Sequence, residues 1–186
     1  ARGHAEDELQ ALVVFARETD DVCDLQAWDH AFYAERLREV HFALSQETLR
    51  PYFPFPRVLN GLFEVVHRLF SIRVEPVALP QLWHESVTFY DVVDATGARR
   101  GSFYLDLFAR ANKRGGAWMA DAIDRRRLPD GGVQTPVAFL VCNFTPPADG
   151  QQTLVTHEEV LTLCHGFGHG LHHLLDRVDE HAVAGI

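Results

Sequence analysis

Residues 165–169 read His165-Gly166-Phe167-Gly168-His169. Two histidines four apart on a helix present both imidazoles on one face. They form the ligand half of the His-Glu-x-x-His arrangement, in which the rings hold zinc and the intervening glutamate acts as general base. Here the position of that glutamate is Gly166. The pentapeptide keeps residues that can hold a metal ion and lacks the carboxylate that would activate water on it.

Working outward, residues 156–175 read as one helix, with Thr156 and Glu159 at capping-box spacing at its start. At ~100° per residue, Val160, Cys164, Phe167, Leu171 and Leu174 fall in one apolar stripe, and His165, His169 and His172 fall roughly opposite. The stripe is expected against a core, and the histidines are expected to look into a cleft. Rings at 165 and 169 start about 6 Å apart along the axis and can converge on one ion. Gly166, Gly168 and Gly170 each cost about 0.8–1 kcal/mol relative to alanine inside a helix. Gly168 and Gly170 are expected at close backbone approaches, and Gly166 at a place that has lost a larger residue. Two other readings stand beside this one. A His-x-x-x-His pair by itself is more often a surface or core pair than a ligand pair. The run Gly166-x-Gly168-x-Gly170 also suggests a phosphate loop, but Leu171 breaks Gly-x-Gly-x-x-Gly, and the capped start argues for a helix.

The N-terminal part is helical in pattern. Residues 5–18 place Leu9, Leu12, Val13 and Ala16 at helical spacing, and residues 25–44 place Trp28, Phe32, Leu37 and Val40 toward a core. Pro51, Pro54 and Pro56 mark a turn-rich link, and a third helix follows over 56–70, its proline suiting a first turn. The pattern then changes. Residues 87–94 and 101–108, joined across Asp94-Ala95-Thr96-Gly97, predict a β-hairpin. Lys113–Gly116 reads as a glycine loop and Asp130-Gly131-Gly132 as a turn. Residues 137–144 form a short buried strand ended by Pro146-Pro147. The expected fold class is α+β and mainly helical, with residues 1–80 mainly helical and 81–186 a small antiparallel or mixed sheet beside the motif helix.

Composition narrows the function classes. The chain has 186 residues, 47% apolar and 23% charged, which suits one globular unit and excludes wholesale disorder. A formal net charge of −9 argues against a nucleic-acid surface. The basic runs Arg99-Arg100, Lys113-Arg114 and Arg125-Arg126-Arg127 read mostly as solvated loop charges. Three dispersed cysteines, Cys23, Cys142 and Cys164, predict no disulfide framework and a reducing, cytoplasmic setting. No apolar run approaches the ~18 residues of a membrane span, and the acidic N-terminus does not read as a signal peptide. With no initiator methionine, the chain is expected to begin and end inside a longer protein.

A series of segments carries a resemblance: Trp28-Asp29, Tyr33, Leu49–Phe55, Arg57-Val58-Leu59, Gly61-Leu62-Phe63, Trp83-His84, Gly101–Leu107, Lys113-Arg114-Gly115-Gly116-Ala117-Trp118, Cys142-Asn143-Phe144, and His165 through His173. In this order they resemble the thimet oligopeptidase, oligopeptidase A and dipeptidyl carboxypeptidase family of zinc metallopeptidases, over nearly the whole chain. The resemblance implies a zincin-like fragment of a larger catalytic domain, with one zinc ion as cofactor. It implies that His165 and His169 are zinc ligands and that Gly166 stands where the general-base glutamate belongs. It also implies that His172 and His173 are supporting rather than ligating. Short peptides are the implied substrates, held extended in a channel that residues 87–94, 101–108 and 137–144 line, where strand addition could hold them.

The chain departs from the family at Gly166, and no nearby carboxylate replaces the glutamate. The implied third zinc ligand, a glutamate on a following helix, is expected beyond Ile186. Asp179, Glu180 and His181 match no motif for that role. The leading expectation is part of a zinc metalloendopeptidase, with this chain impaired or inactive. The alternatives are a non-catalytic peptide-binding pseudo-enzyme module and a plain structural fragment. No nucleic acid or membrane partner is expected. Apolar surface around Phe53, Phe55 and Trp118 is expected to lie uncovered and to favour self-association.

Overall fold

The structure, a computed structural model, describes residues 2–43, 45–79, 81–147 and 152–185. The chain divides into two compact units, Ala1–Pro51 and Tyr52–Ile186. The His165–His169 motif lies in the second.

In the first unit, helix α1 spans Arg2–Asp20 and helix α2 spans His30–Phe42. Ala16 is buried on α1 and Tyr33 on α2. The Tyr33 ring meets Phe15 edge-on at 6.4 Å, and its hydroxyl donates to Asp20 at 3.1 Å. α2 is shorter than the pattern suggests, because Trp28 and Asp29 precede it; the expected end at Leu44 lies outside the described residues. The core direction also differs. Trp28 is 79% exposed, and Phe32 and Val40 are exposed as well, while Tyr33 is the buried residue. Two helices packed on each other cover one stripe apiece, and the positions outside that stripe find no partner. After α2, helix α3 spans Gln46–Leu49, capped by the Ser45 hydroxyl accepting from Thr48 N, and runs into a single 3₁₀ turn at Arg50–Tyr52. The link expected from its prolines is therefore partly helical.

The second unit is a helix–sheet–helix assembly. Helix α4 spans Phe55–Phe70 and has proline in its first turn. Strand β1, Arg73–Pro76, follows. Strands β2, Thr88–Val93, and β3, Arg99–Phe108, make the expected antiparallel hairpin, with Phe89 opposite Tyr104 and Val92 opposite Gly101. Its turn is closed by Asp94, whose Oδ1 accepts from Thr96 N at 2.8 Å and Ala98 N at 3.1 Å, and Gly97 takes the positive φ of 83° that the turn demands. Strand β4 spans Trp118–Ile123; the two-residue strands β5, Arg126–Arg127, and β6, Val133–Gln134, pair around the Asp130–Gly132 turn. Strand β7, Val137–Phe144, runs parallel to β3 and antiparallel to β4, giving a mixed sheet in the order β1-β2-β3-β7-β4.

Helix α5, His157–Leu175, carries the motif and lies against β7, β4 and β3. Its capping box is complete: Thr156 Oγ1 accepts from Glu159 N at 3.1 Å, and Glu159 Oε2 accepts from Thr156 N at 2.7 Å. The buried stripe is Leu163, Phe167, Gly170, Leu171, His173 and Leu174. Cys164, expected in that stripe, is exposed; Leu163 takes its place one position earlier. Phe167 meets Phe63 of α4 at 5.9 Å and Phe103 of β3 at 5.5 Å, so one core joins both helices to the sheet. Phe53 and Phe55, expected to be uncovered, are half-buried against that core, and Trp118 is half-buried too. The exposed large apolar residues lie elsewhere, among them Leu69, Phe70 and Leu161.

Among the described residues no helix is long and apolar enough to cross a membrane. The basic runs are only partly solvated. Arg125 and Arg127 both pair with Asp179, at 2.9 and 2.7 Å, and the Lys113 side chain is buried, because each meets a carboxylate brought close by the fold.

Candidate functional site

The helix spacing brings the two motif histidines together. His165 and His169 are exposed on the face of α5 opposite the core stripe, with ring centroids 4.7 Å apart at an interplanar angle of 84°. Their Nε2 atoms are 3.2 Å apart. His172 is exposed on the same side of the helix, whereas His173 is buried, its Nε2 3.1 Å from the carbonyl of Ile123 at the end of β4. His173 therefore ties α5 to β4.

The three helix glycines separate into two kinds. A Cβ on Gly170 would stand 2.9 Å from Leu140 Cδ2, so there α5 rests on β7 through its backbone. Apart from the adjoining residues and the backbone of α5 itself, no heavy atom lies within 4 Å of a Cβ built on Gly166 or Gly168. The expected close approach at Gly168 is thus absent, because that position faces away from the sheet. Gly166 has open space beside the two imidazoles.

A cleft of about 510 Å³ opens along this face. α5 contributes Leu161, Thr162, His165, Gly166 and His169; β7 contributes Leu140 and Cys142; β4 and the residue before it contribute Ala117, Trp118 and Met119. Burial pushes the Cys142 thiol up to about 11, which removes it as a nucleophile near neutral pH. β4 is the last strand of its sheet, so one row of its backbone groups pairs with no strand among the described residues. Such an edge can accept an added strand.

No set of three His, Cys, Asp or Glu side chains suited to a metal ion occurs among the described residues. Asp179 is engaged by Arg125 and Arg127, and His181 Nδ1 lies 3.5 Å from Asp124.

The family model for peptidase family M3 matches residues 1–186. The chain belongs to peptidase family M3. It is 48% identical over 186 residues to oligopeptidase A of Escherichia coli, covering 100% of this chain and 27% of that protein. It is 38% identical over 187 residues to dipeptidyl carboxypeptidase of the same organism, again 100% of this chain and 27% of the relative. A thimet-like oligopeptidase of Dictyostelium discoideum is 34% identical over 161 residues, 86% of this chain and 24% of the relative. This M3 chain therefore spans about a quarter of the length of the curated relatives it matches.

Sequence reasoning passed over two features of this cleft: strand β4, and the Lys113 and Asn143 side chains that hold the loop before it. Their signal was present only as segments of the resemblance, around Lys113–Trp118 and Cys142–Phe144.

Proposed function

We infer that this chain is the metal-helix portion of a zinc oligopeptidase that takes short extended peptides, and that with glycine at 166 it hydrolyses them poorly or not at all. The observation that carries the reading is the 3.2 Å separation of the His165 and His169 Nε2 atoms. Two nitrogens each about 2.0–2.1 Å from a tetrahedral zinc stand roughly 3.3 Å apart, so the pair fits the ion. In this reading His165 and His169 hold zinc as neutral imidazoles. A zinc ion there supplies Lewis-acid activation of water and of a peptide carbonyl.

The chain's own residues do the rest. The free edge of β4 offers backbone donors and acceptors to a peptide main chain, and the cleft between β4 and α5 places that peptide beside the histidines. Position 166 is where a side chain could reach both the metal and the peptide, and it offers no carboxylate. Loss of a general base costs about 10²–10⁴ in rate, and two histidines alone hold zinc more weakly than a closed site. A second reading, a peptide-binding module without chemistry, is favoured by the same glycine: the edge and the cleft persist where the base is missing. Three free cysteines suit a reducing, cytoplasmic setting, and the net charge of −9 argues against nucleic acid as a partner.

The first test is calorimetric titration of the metal-free chain with zinc, repeated on His169→Ala. Saturable one-to-one binding that disappears in the variant is expected; heats unchanged by the substitution would sink the metal site. In the full-length protein, Gly166→Glu is expected to raise short-peptide cleavage by on the order of 10²–10⁴. If that form cleaved nothing while still binding zinc and peptide, the non-catalytic module would be the better reading.

A further inference from the structure

The loop that leads into β4 is held by side chains from the neighbouring strands. Lys113 Nζ shares its three N–H groups among four acceptors, Asp106 Oδ1 at 2.8 Å and the carbonyls of Asp106 at 3.0 Å, Phe108 at 2.9 Å and Cys142 at 2.6 Å. The Lys113 and Asp106 side chains are each 5% exposed. Asn143, one residue beyond Cys142 on β7, donates through Nδ2 to the carbonyls of Arg114 at 2.9 Å and Gly116 at 2.5 Å. Both amide protons of Asn143 are thereby committed to the loop.

The loop itself is irregular. Asn112 has φ 62° and Gly116 has φ 83°, left-handed conformations that asparagine and glycine adopt more readily than other residues. Directly after it come Ala117, Trp118 and Met119, which form the β4 wall of the cleft facing His165 and His169.

We propose that Lys113 and Asn143 are positioning residues for peptide binding: they fix the loop so that β4 presents its free edge at a set place across the cleft from the histidine pair. The proposal rests on the reading that peptides pair with β4. A buried Lys–Asp pair by itself would mainly hold the fold together. This lysine, however, also grips carbonyls of both β3 and β7, and the asparagine grips only loop carbonyls. Both act on backbone position. Strand addition depends on main-chain hydrogen bonds of about 2.7–3.2 Å, so a small displacement of the first β4 residues would spoil several of them together.

The test uses capped hexapeptides of alanine and phenylalanine, titrated into the chain while backbone amide signals are recorded. Asn143→Ala is expected to lower peptide affinity about tenfold, the loss of roughly one to two hydrogen bonds, and to leave zinc affinity at His165 and His169 unchanged. Lys113→Met, which keeps the apolar stem, is expected to act in the same direction, and Asn143→Ser, which keeps one donor, to recover part of the loss. In the parent chain, those amides of residues 118–120 that pair with β7 are expected to exchange with solvent as slowly as the middle of β7, while those on the free edge exchange quickly. Parent-like peptide affinity in folded Asn143→Ala, or fast exchange in the parent of the 118–120 amides that pair with β7, would overturn the positioning role alone. A parent chain that binds no peptide would overturn both this role and the peptide-binding reading.

Discussion

Gly170 of α5 lies so close to Leu140 of β7 that a Cβ on the glycine would stand 2.9 Å from the leucine Cδ2. Leu140 is buried, and its Cδ1 and Cγ would also stand 3.4 and 3.5 Å from that Cβ. Two positions earlier, Gly168 has nothing within 4 Å of its would-be Cβ. The same substitution should therefore have opposite effects at the two sites. Gly170→Ala carries an overpacking cost of about 1–3 kcal/mol, set against a helix-propensity gain of about 1 kcal/mol. It is expected to be neutral at best and destabilising by up to about 2 kcal/mol. Gly168→Ala collects only the gain of about 1 kcal/mol. Urea unfolding midpoints decide the matter, and equal shifts in one direction would contradict the packing described.

Asp179 supplies a second prediction because it has been a candidate for two jobs. Its carboxylate is taken by Arg125 at 2.9 Å and Arg127 at 2.7 Å, and the Arg125 side chain is 15% exposed. Asp179→Asn should cost about 1–3 kcal/mol of stability by weakening partly buried charge-assisted bonds. It should leave zinc affinity where it was. A zinc affinity that falls with stability unchanged would make Asp179 a ligand after all.

How much of this was legible in the sequence depends on the range of the interaction. The His165–His169 pair, the Thr156–Glu159 cap and the hairpin around Asp94–Gly97 are local, set by helix and turn geometry over four or five residues, and all three stand in the structure. The stripe on α5 was read one position off at Cys164, because periodicity gives a face and only the packed sheet fixes the rotation. Strand β4 went unread because Trp118-Met119-Ala120-Asp121-Ala122-Ile123 has little alternation and few β-branched residues. It is a strand because β7 offers it an edge, a pairing set by distant residues. Lys113 was read as a solvated charge for a related reason. Its burial depends on the Cys142 carbonyl, which nothing local announces.

The cysteines give a third prediction. Cys23 and Cys164 are exposed, and Cys142 is buried with its thiol pushed up to about 11 by desolvation. A thiol reagent at neutral pH is expected to modify Cys23 readily, Cys164 more slowly because partial desolvation of its sulfur raises its thiol, and Cys142 only after unfolding. Peptide mapping after brief labelling reads this directly. Prompt modification of Cys142 in the folded chain would mean that the β7 wall of the cleft opens.

Asp106 contributes to how the second unit responds to acid. Burial pushes its carboxyl up, but hydrogen bonds from Arg110, Lys113 and Trp83 outweigh that and hold it well below the ordinary carboxylate range. Arg110 contributes two bonds of 2.7 Å, one to each oxygen. A carboxylate whose folded pKa is depressed stabilises the fold fully above its unfolded pKa, about 3.9, and the contribution is lost as pH falls from there through the folded value. Stability from this group should therefore be flat from neutral pH to about pH 5 and decline below about pH 4. Asp106→Asn removes the charge and leaves Lys113 and Arg110 facing a neutral amide, at a cost of about 3–5 kcal/mol near neutral pH. The variant should also lose part of the acid dependence, so the two unfolding curves should draw together as pH falls. Urea midpoints measured for both chains from pH 7 to about pH 2 test this. A constant gap between them across that range would show that the Asp106 charge does not stabilise the loop before β4.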